Sequence, residues 1–537
     1  MSDQSRLFLA AILMLGVLLV SWFVTGKTGQ ATDEVNQTIA VPPESLFVPP
    51  TEEILPLDTI QLSLSDSIPN TDELINETCF EETIVTVIIP SEEPGDTLVV
   101  ASLSNKGGSV TSWSLTNYTD FPSEDINQNV NLVQEPWFVS GNHEGEIPFS
   151  YSGPDTVVVS ELGTDVVFQF GDAVKTYSFS RGFYSFTVQK INLDEETTIP
   201  AATLPVTEVL ASDKGYFTSS WFTNSHNKEK SESIEALESV GNVTWISTSS
   251  KYFTIILMPE STERAAAFVA PGEGGSPRIT LNETSISVFA GPKSYHLLGQ
   301  LGRSTQDMID FGWPVIRWIA KLIFYYLTVA LSFIPNWGLR IIVLAITLKA
   351  LLSPLTTKSY VSMQKMQKIQ PAMKQIQEKY AKDPKQQQVE MQKLYKEKGV
   401  NPIGGCLPML LQMPVFFAMY RVLANMVELR GASFMFWIND LSRPELLVHF
   451  NTKVFGLEGI GLMAVLLGII MFLQQKLTGS SATGAAAQQQ KMMMYMMPIF
   501  MTFLFMRFAS GLTLYWLVFN ILTLIHQEFI KKNLATE

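Results

Sequence analysis

The residue best placed to do something chemical is Lys349, twelve positions into the apolar run WGLRIIVLAITLKALLSPL that begins at Trp337. On a helix that is roughly 18 Å from Trp337. An ammonium at such a depth in hydrocarbon costs several kcal/mol unless it meets water or a partner. Two readings follow. The lysine can snorkel to nearby headgroups, because the run ends near Leu355. Alternatively it faces a water-filled cavity, where an unpaired cation attracts acidic segments of a passing chain and shortens their apolar path. Ser353 and Thr356, at i+4 and i+7, continue its face. Gln412, Tyr515, Asn520 and Thr523 are further polar or amphipathic side chains in later apolar runs. No run supplies an obvious carboxylate partner, since Glu428 and Glu528 fall at the ends.

Other chemistries find little support. The five histidines (His143, His226, His296, His449 and His526) are scattered and show no metal-ligand spacing. The two cysteines, Cys79 and Cys406, lie in segments of different character, which argues against a structural disulfide. There is no Ser/His/Asp signature, Gly-rich phosphate loop or HExxH motif. These absences weaken an enzyme reading without disproving it, and the expectation is a non-enzymatic protein without metal or cofactor.

The elements that must position Lys349 follow from composition and charge. Of 537 residues, 46 % are hydrophobic, and the mean hydropathy is positive, as for a membrane protein with a sizeable soluble part. Residues 25–303 hold 13 Lys/Arg against 38 Asp/Glu, and the rest of the chain 24 against 13. An acidic module therefore precedes a basic one, and the acidic balance argues against nucleic-acid recognition.

Residues 1–25 contain an 18-residue apolar run, Leu7 to Val24, after Arg6. Without an A-x-A-like cleavage site it reads as a membrane anchor rather than a signal peptide. Residues 26–78, rich in Pro and acids, read as a flexible tether. Residues 79–300 carry short alternating runs such as TIVTVIIP, DVVFQF and YFTIILM between turn formers, the pattern of a large antiparallel β-sandwich. Residues 301–336 include Trp313 to Ile334, apolar but with Arg317 and Lys321, predicted as an amphipathic helix along the outer interface. Transmembrane spans are predicted at 337–357, 401–425, 457–476, 491–508 and 511–530, each near the ~20 residues that cross ~30 Å of hydrocarbon. Loops at 426–456 and 477–490 and a short tail at 531–537 complete the division.

Residues 358–400 form a charged segment with ten lysines and four acids between Lys358 and Lys398, which places it in the cytoplasm. With the anchor this gives six spans, both termini cytoplasmic and the sandwich outside. Met366, Ile369, Met373, Ile376 and Tyr380 follow a 3-4-3-4 spacing, one helix face. Asp383-Pro384 ends that helix and Gln386 to Lys398 begins another, a helical hairpin whose first arm Pro371 should kink. Its exposed Lys365, Lys368, Lys374 and Lys379 set topology, or dock ribosomes, targeting factors or anionic lipid. The Met-rich run KMMMYMMPIFMTFLFM offers an adaptable apolar surface for lipid, neighbouring helices or a client chain. Gly404, Gly405, Pro408 and Pro414 mark a kinked, closely packed span.

Several long motifs carry a resemblance. NPIGGCLPMLLQMPVFFAMYRVL, VELRGASFMFWINDLS, FASGLTLYWLVFNILTLIHQ and SPLTTKSYVSMQKMQKIQPAM resemble the YidC/Oxa/Alb insertase family, with weaker matches in SNKGGSVTSWSL, WISTSSKYFTIILMP and DFGWPVI. The resemblance implies a five-helix core with a hydrophilic groove, open to cytoplasm and lipid but closed outward. It also implies the Gram-negative inner-membrane form, with an extra first helix and a periplasmic β-supersandwich. The implied function is insertion and folding of nascent membrane proteins, alone or with SecYEG and SecDF, without nucleotide hydrolysis. The family's groove charge is usually Arg. Lys349 at the matching position keeps the charge but loses bidentate hydrogen bonding. The short segment after Phe529 resembles members without a long ribosome-binding extension.

Two other classes compete. A secondary transporter or channel typically shows internal repeats and paired carboxylates, and neither is seen. A membrane-anchored carbohydrate-active protein needs convergent carboxylates or histidines in a sandwich cleft, and the acids here are dispersed.

Overall fold

The computed structural model describes residues 81–119, 129–133, 135–138, 147–193, 196–199, 218–223, 226–231, 238–260, 265–270, 278–381, 383–400, 407–454, 457–478 and 485–536. The anchor, the tether, Cys79, Gly404, Gly405 and Cys406 lie outside them.

Residues 84–292 fold into β-sheets, as the alternating runs predict. Among the described residues there is a five-stranded, an eight-stranded and a four-stranded sheet, antiparallel except where Ile84–Pro90 pairs in parallel with Thr156–Val158. Alternation dictates the burial of the outer strands: in Ile84–Pro90, Val85, Val87 and Ile89 point inward. The exceptions teach more. Val243–Ser249 and Phe253–Pro259, paired antiparallel in register Ile246↔Leu257, are buried along their whole length. Val243–Ser249 packs against Ala266–Ala270 and Arg278–Asn282 of the four-stranded sheet, and Leu298, Met308 and Val427 from the chain beyond the sandwich join the same hydrophobic core. Burial of each large apolar side chain there contributes roughly 1.5–3 kcal/mol.

After Pro292 come helices α1 (Tyr295–Leu301) and α2 (Pro314–Tyr325). Pro314 starts α2 at a position where a missing N–H is harmless, and Tyr326–Ala330 continues it as a wider π turn. The predicted amphipathic helix is therefore 12 residues plus that turn, ending before Ile334. One side presents exposed Trp313, Trp318 and Leu322, and the other buries Ala320, Ile323 and Phe324.

Helix α3 spans Trp337–Lys368 without a break. This corrects the expected division at residue 357: the span and the start of the charged segment are one helix. Its end is at Ile369, and Pro371 sits in the first turn of the next helix, α4 (Gln370–Lys379), so the interruption that Pro371 predicts is a break between two helices. Helix α5 (Pro384–Lys398) starts two residues before Gln386, capped by the Asp383 carboxylate on the Gln386 N–H. Ile369, Leu394 and Val400, flanked by Met366, Met373 and Ile376, make a small core of their own. Tyr380 stands outside it, because the helix ends at Lys379 and the face does not continue.

Helices α6 (Leu407–Asn425), α7 (Leu462–Thr478), α8 (Ala485–Phe505) and α9 (Ser510–Thr536) complete the helical region. Three boundaries differ from the hydropathy reading. Leu457–Ile460 is a strand paired with Val448–Val454, so α7 starts at Leu462 rather than 457. The expected tail 531–537 is helical through Thr536. The expected loop 477–490 gives its last residues, from Ala485, to α8. Hydropathy locates apolar runs, whereas helix ends answer to caps and packing.

Candidate functional site

Helix α9 is the hub, packing on α3, α6 and α7. Its N-terminal end is sewn to the loop before α7. Ser510 N–H donates to the Arg443 carbonyl (2.6 Å) and Gly511 N–H to the Leu441 carbonyl (2.9 Å). The Ser510 hydroxyl donates to the Asp440 carbonyl (2.8 Å). The FASG and WINDLS segments, 70 residues apart, thus meet.

Near that end Arg340, in the first turn of α3, donates to the carbonyls of Ile334 (2.6 Å), Leu327 (3.2 Å) and Ser332 (3.1 Å). Its guanidinium also lies over the Trp337 ring, 4.2 Å from the centroid. This one side chain satisfies carbonyls that the end of α2 and its π turn leave open. Sequence reasoning passed over Arg340, although Trp-x-x-Arg spacing on a helix stacks the two side chains. Asp310 of the DFGWP segment pairs with Arg421 of α6 (2.7 Å) and accepts from the Gly312 N–H, fixing the approach to α2.

Lys349 lies midway along α3 and is only 7 % exposed. Its ammonium sits 5.4 Å from the Phe519 ring centroid on α9. Among the described residues it has no carboxylate within ion-pair reach. One turn on, the Ser353 hydroxyl faces His526 Nε2 at 3.5 Å, and the Thr357 hydroxyl is 3.1 Å from the same nitrogen. The Thr356 and Thr357 hydroxyls both turn back to the Ser353 carbonyl (3.0 and 2.9 Å), and of the two it is Thr357 that also reaches His526.

The other expected residues divide. Tyr515 is fully buried near Gln412 of α6. Among the described residues the Tyr515 hydroxyl and Gln412 Nε2 find no well-aligned partner other than each other, an uncommon state for buried polar atoms. Asn520 donates to the Trp516 carbonyl (2.7 Å) and Thr523 to the Phe519 carbonyl (2.8 Å), so both turn their donors back onto their own helix. The Asn520 carbonyl also receives Gln474 from α7 (2.7 Å). The structure thus brings together Lys349, Ser353, Thr357, Phe519 and His526 at the α3–α9 seam. Sequence reasoning missed His526, Thr357 and Gln474. His526 follows Tyr515 by eleven positions, three helical turns, and that spacing was the available signal.

Of the lysines in the charged segment, Lys365 and Lys368 end α3 and Lys374 and Lys379 lie on α4, all four exposed. Lys374 pairs with Glu378 at 3.7 Å, and Lys379 lies over the Tyr380 ring.

The junction with the sandwich is polar and closed. The Ser294 hydroxyl donates to Glu428 (3.0 Å), the Trp245 indole to the Arg303 carbonyl (2.9 Å), and Arg303 to the Pro259 carbonyl (2.7 Å). Burial pushes the Glu428 carboxyl above the usual carboxylate range, partly offset by backbone and Ser294 hydrogen bonds.

Comparison with known proteins agrees with this architecture. A family model described as the YidC periplasmic domain matches residues 95–326, and one described as a 60 kDa inner membrane protein matches residues 329–537. The membrane protein insertase YidC of Geotalea daltonii is 31 % identical over 480 residues, 81 % of this chain and 86 % of that protein. The chain belongs to the YidC insertase family. The YidC of Pelobacter propionicus is 39 % identical over 342 residues, covering 60 % of this chain and 61 % of that protein. The YidC of Syntrophobacter fumaroxidans is 44 % identical over 256 residues, 47 % and 45 % of the two chains. Against such relatives the chain matches about half to three fifths of their length. A crystal structure of an active YidC insertase with its first transmembrane domain resolved aligns with a TM-score of 0.35 at 19 % identity, over 83 % of this chain and 94 % of that one. That overlay is too loose to carry argument. In YidC terms, the chain has a β-rich domain matching the periplasmic one and a C-terminal helical region.

Proposed function

We propose that this protein inserts integral membrane proteins into the inner membrane and helps them fold, without a chemical step. The observation that carries the reading is Lys349: a cation inside the helical bundle, lacking a carboxylate partner among the described residues, on a seam lined by Ser353, Thr357 and His526. A charge kept at such cost serves something that arrives. An acidic tail of a nascent chain, drawn to the seam, crosses a shorter apolar path. Gln412, Tyr515, Asn520, Thr523 and Thr356 extend the polar lining of the same groove, and the stitching of α9 to the 432–443 loop closes it outward.

The membrane arrangement belongs to this proposal. Helices α3, α6, α7, α8 and α9, with residues 7–24, make six spans with both termini cytoplasmic and the sandwich periplasmic. Helix α3 has the length and hydropathy for a span on its own. The α4–α5 pair then forms a cytoplasmic hairpin whose Lys365, Lys368, Lys374 and Lys379 meet ribosomes, targeting factors or anionic phospholipid. SecYEG and SecDF are the partners for larger clients.

The test is insertion of a small acidic-tailed client into liposomes holding the purified protein, read by protease protection of the client's tail. Lys349→Ala is expected to lower insertion severalfold and Lys349→Arg to retain most of it. Equal insertion by all three proteins returns Lys349 to a snorkelling role.

A further inference from the structure

The loop between α6 and the strand at Val448 doubles back on itself. Leu441 N–H donates to the Ala432 carbonyl (3.0 Å), Phe434 N–H to the Ile438 carbonyl (2.9 Å) and Ile438 N–H to the Met435 carbonyl (3.2 Å). Its tip is Met435-Phe436-Trp437, all three exposed, Phe436 to 83 %. No charged residue lies between Gly431 and Asn439. Phe436 adopts φ +58°, the left-handed region that aromatic residues avoid. Among the described residues its ring stacks on its neighbour Trp437 alone, ring centroids 5.7 Å apart. A strained, exposed aromatic residue gains little inside this chain, which directs attention outside it.

The base of the loop is held firmly. Phe434 lies against Gly338 of α3, where there is no room for a Cβ. Asn336, the N-cap of α3, donates to the Ser433 carbonyl (3.3 Å). The Trp437 indole donates to Glu445, whose carboxylate also accepts the first N–H groups of α7, Leu462 and Met463, at 3.0 Å each. The tip is thereby fixed at the level where α3 and α7 begin. Phe333, 76 % exposed, stands at that level three residues before Asn336.

We propose that Met435-Phe436-Trp437, with Phe333, is an interfacial anchor that sinks into the headgroup–acyl boundary of the outer leaflet and sets the depth of the helical core. This rests on the reading of α3 and α7 as spans. Three observations select lipid as the occupant. The tip sits at the outer helix ends, where aromatic side chains partition to the interface. It offers no charge to pair with a protein. Its four side chains also fall far short of the roughly 800 Å² per partner that a stable protein interface uses.

The experiment uses the full chain with Cys79 and Cys406 replaced by Ser, in phosphatidylethanolamine–phosphatidylglycerol vesicles. A nitroxide is placed singly at Met435→Cys, Phe436→Cys, Ile346→Cys (exposed on α3) and Leu162→Cys (exposed on the sandwich). Collision with oxygen against a water-soluble nickel chelate reports depth. The expected oxygen-to-nickel ratio at 435 and 436 is several-fold above that at 162 and approaches that at 346. With the label at 435, Phe436→Ser is expected to move the ratio toward the value at 162, and Phe436→Leu to hold it. A ratio at 435 and 436 equal to that at 162 overturns the anchor, as does a tip closed to both reagents, which means protein covers it. A water-like ratio at 346 overturns the spanning reading and the anchor with it.

Discussion

Each half of the molecule buries a lysine, and the two are handled in opposite ways. In the sandwich, Lys175 is fully buried and donates to the carbonyls of Phe138 (2.7 Å) and Gly107 (3.0 Å). It closes the KGG turn onto the sheet, where Tyr177 also donates to the Gly108 carbonyl. In the helical core, Lys349 is nearly as buried but meets only an aromatic ring and a row of hydroxyls and imidazole one turn away. The first lysine is satisfied by the fold and so belongs to stability. The second has no hydrogen-bond partner among the described residues, and the proposed role in insertion rests on that opening.

The sharpest way to break this comparison is to neutralise both. Lys175→Met leaves two buried carbonyls short of a donor and is expected to destabilise the sandwich by about 2–4 kcal/mol, lowering the thermal midpoint of the full chain in detergent. Lys349→Met removes a buried charge without orphaning a partner, so the same melt should stay level or rise while client insertion falls. A large stability loss in Lys349→Met places both lysines in one structural class.

A smaller effect sharpens the seam. Thr357→Val removes the closest contact of His526 and is expected to cost about 1 kcal/mol, with a partial loss of insertion. Thr356→Val, whose hydroxyl bonds the Ser353 carbonyl without reaching His526, should have the smaller effect on insertion. If Thr356→Val is the more damaging, the i+7 row is the functional one.

The smallest effect belongs to the junction between the halves. The folded-state carboxyl of Glu428 is raised by burial, so the folded protein holds that proton more tightly than the unfolded chain. Stability from this group is therefore fully present at acid pH. It declines as pH rises from the ordinary carboxylate value through the raised one. Glu428→Gln should flatten that slope in melts taken across mildly acidic pH, and an unchanged slope assigns it to another group.

Much of this protein was legible in its residues. Strand alternation fixed the sandwich, charge balance separated the acidic from the basic half, and the apolar runs marked the helices. Lys349 announced itself because a charge inside an apolar run has few bland explanations. Local pattern carries such information because burial and solvation act on each residue individually. Helix ends and partners were different. Tertiary packing made α3 one helix through Lys368, turned Leu457–Ile460 into a strand, and drew Glu445 from the loop to cap α7. Only the fold chose Thr357 over Thr356, brought His526 across from α9 and gave Arg340 three carbonyls to hold. Those outcomes depend on the phase of one helix against another over a hundred and more residues. No spacing within a single segment encodes that phase.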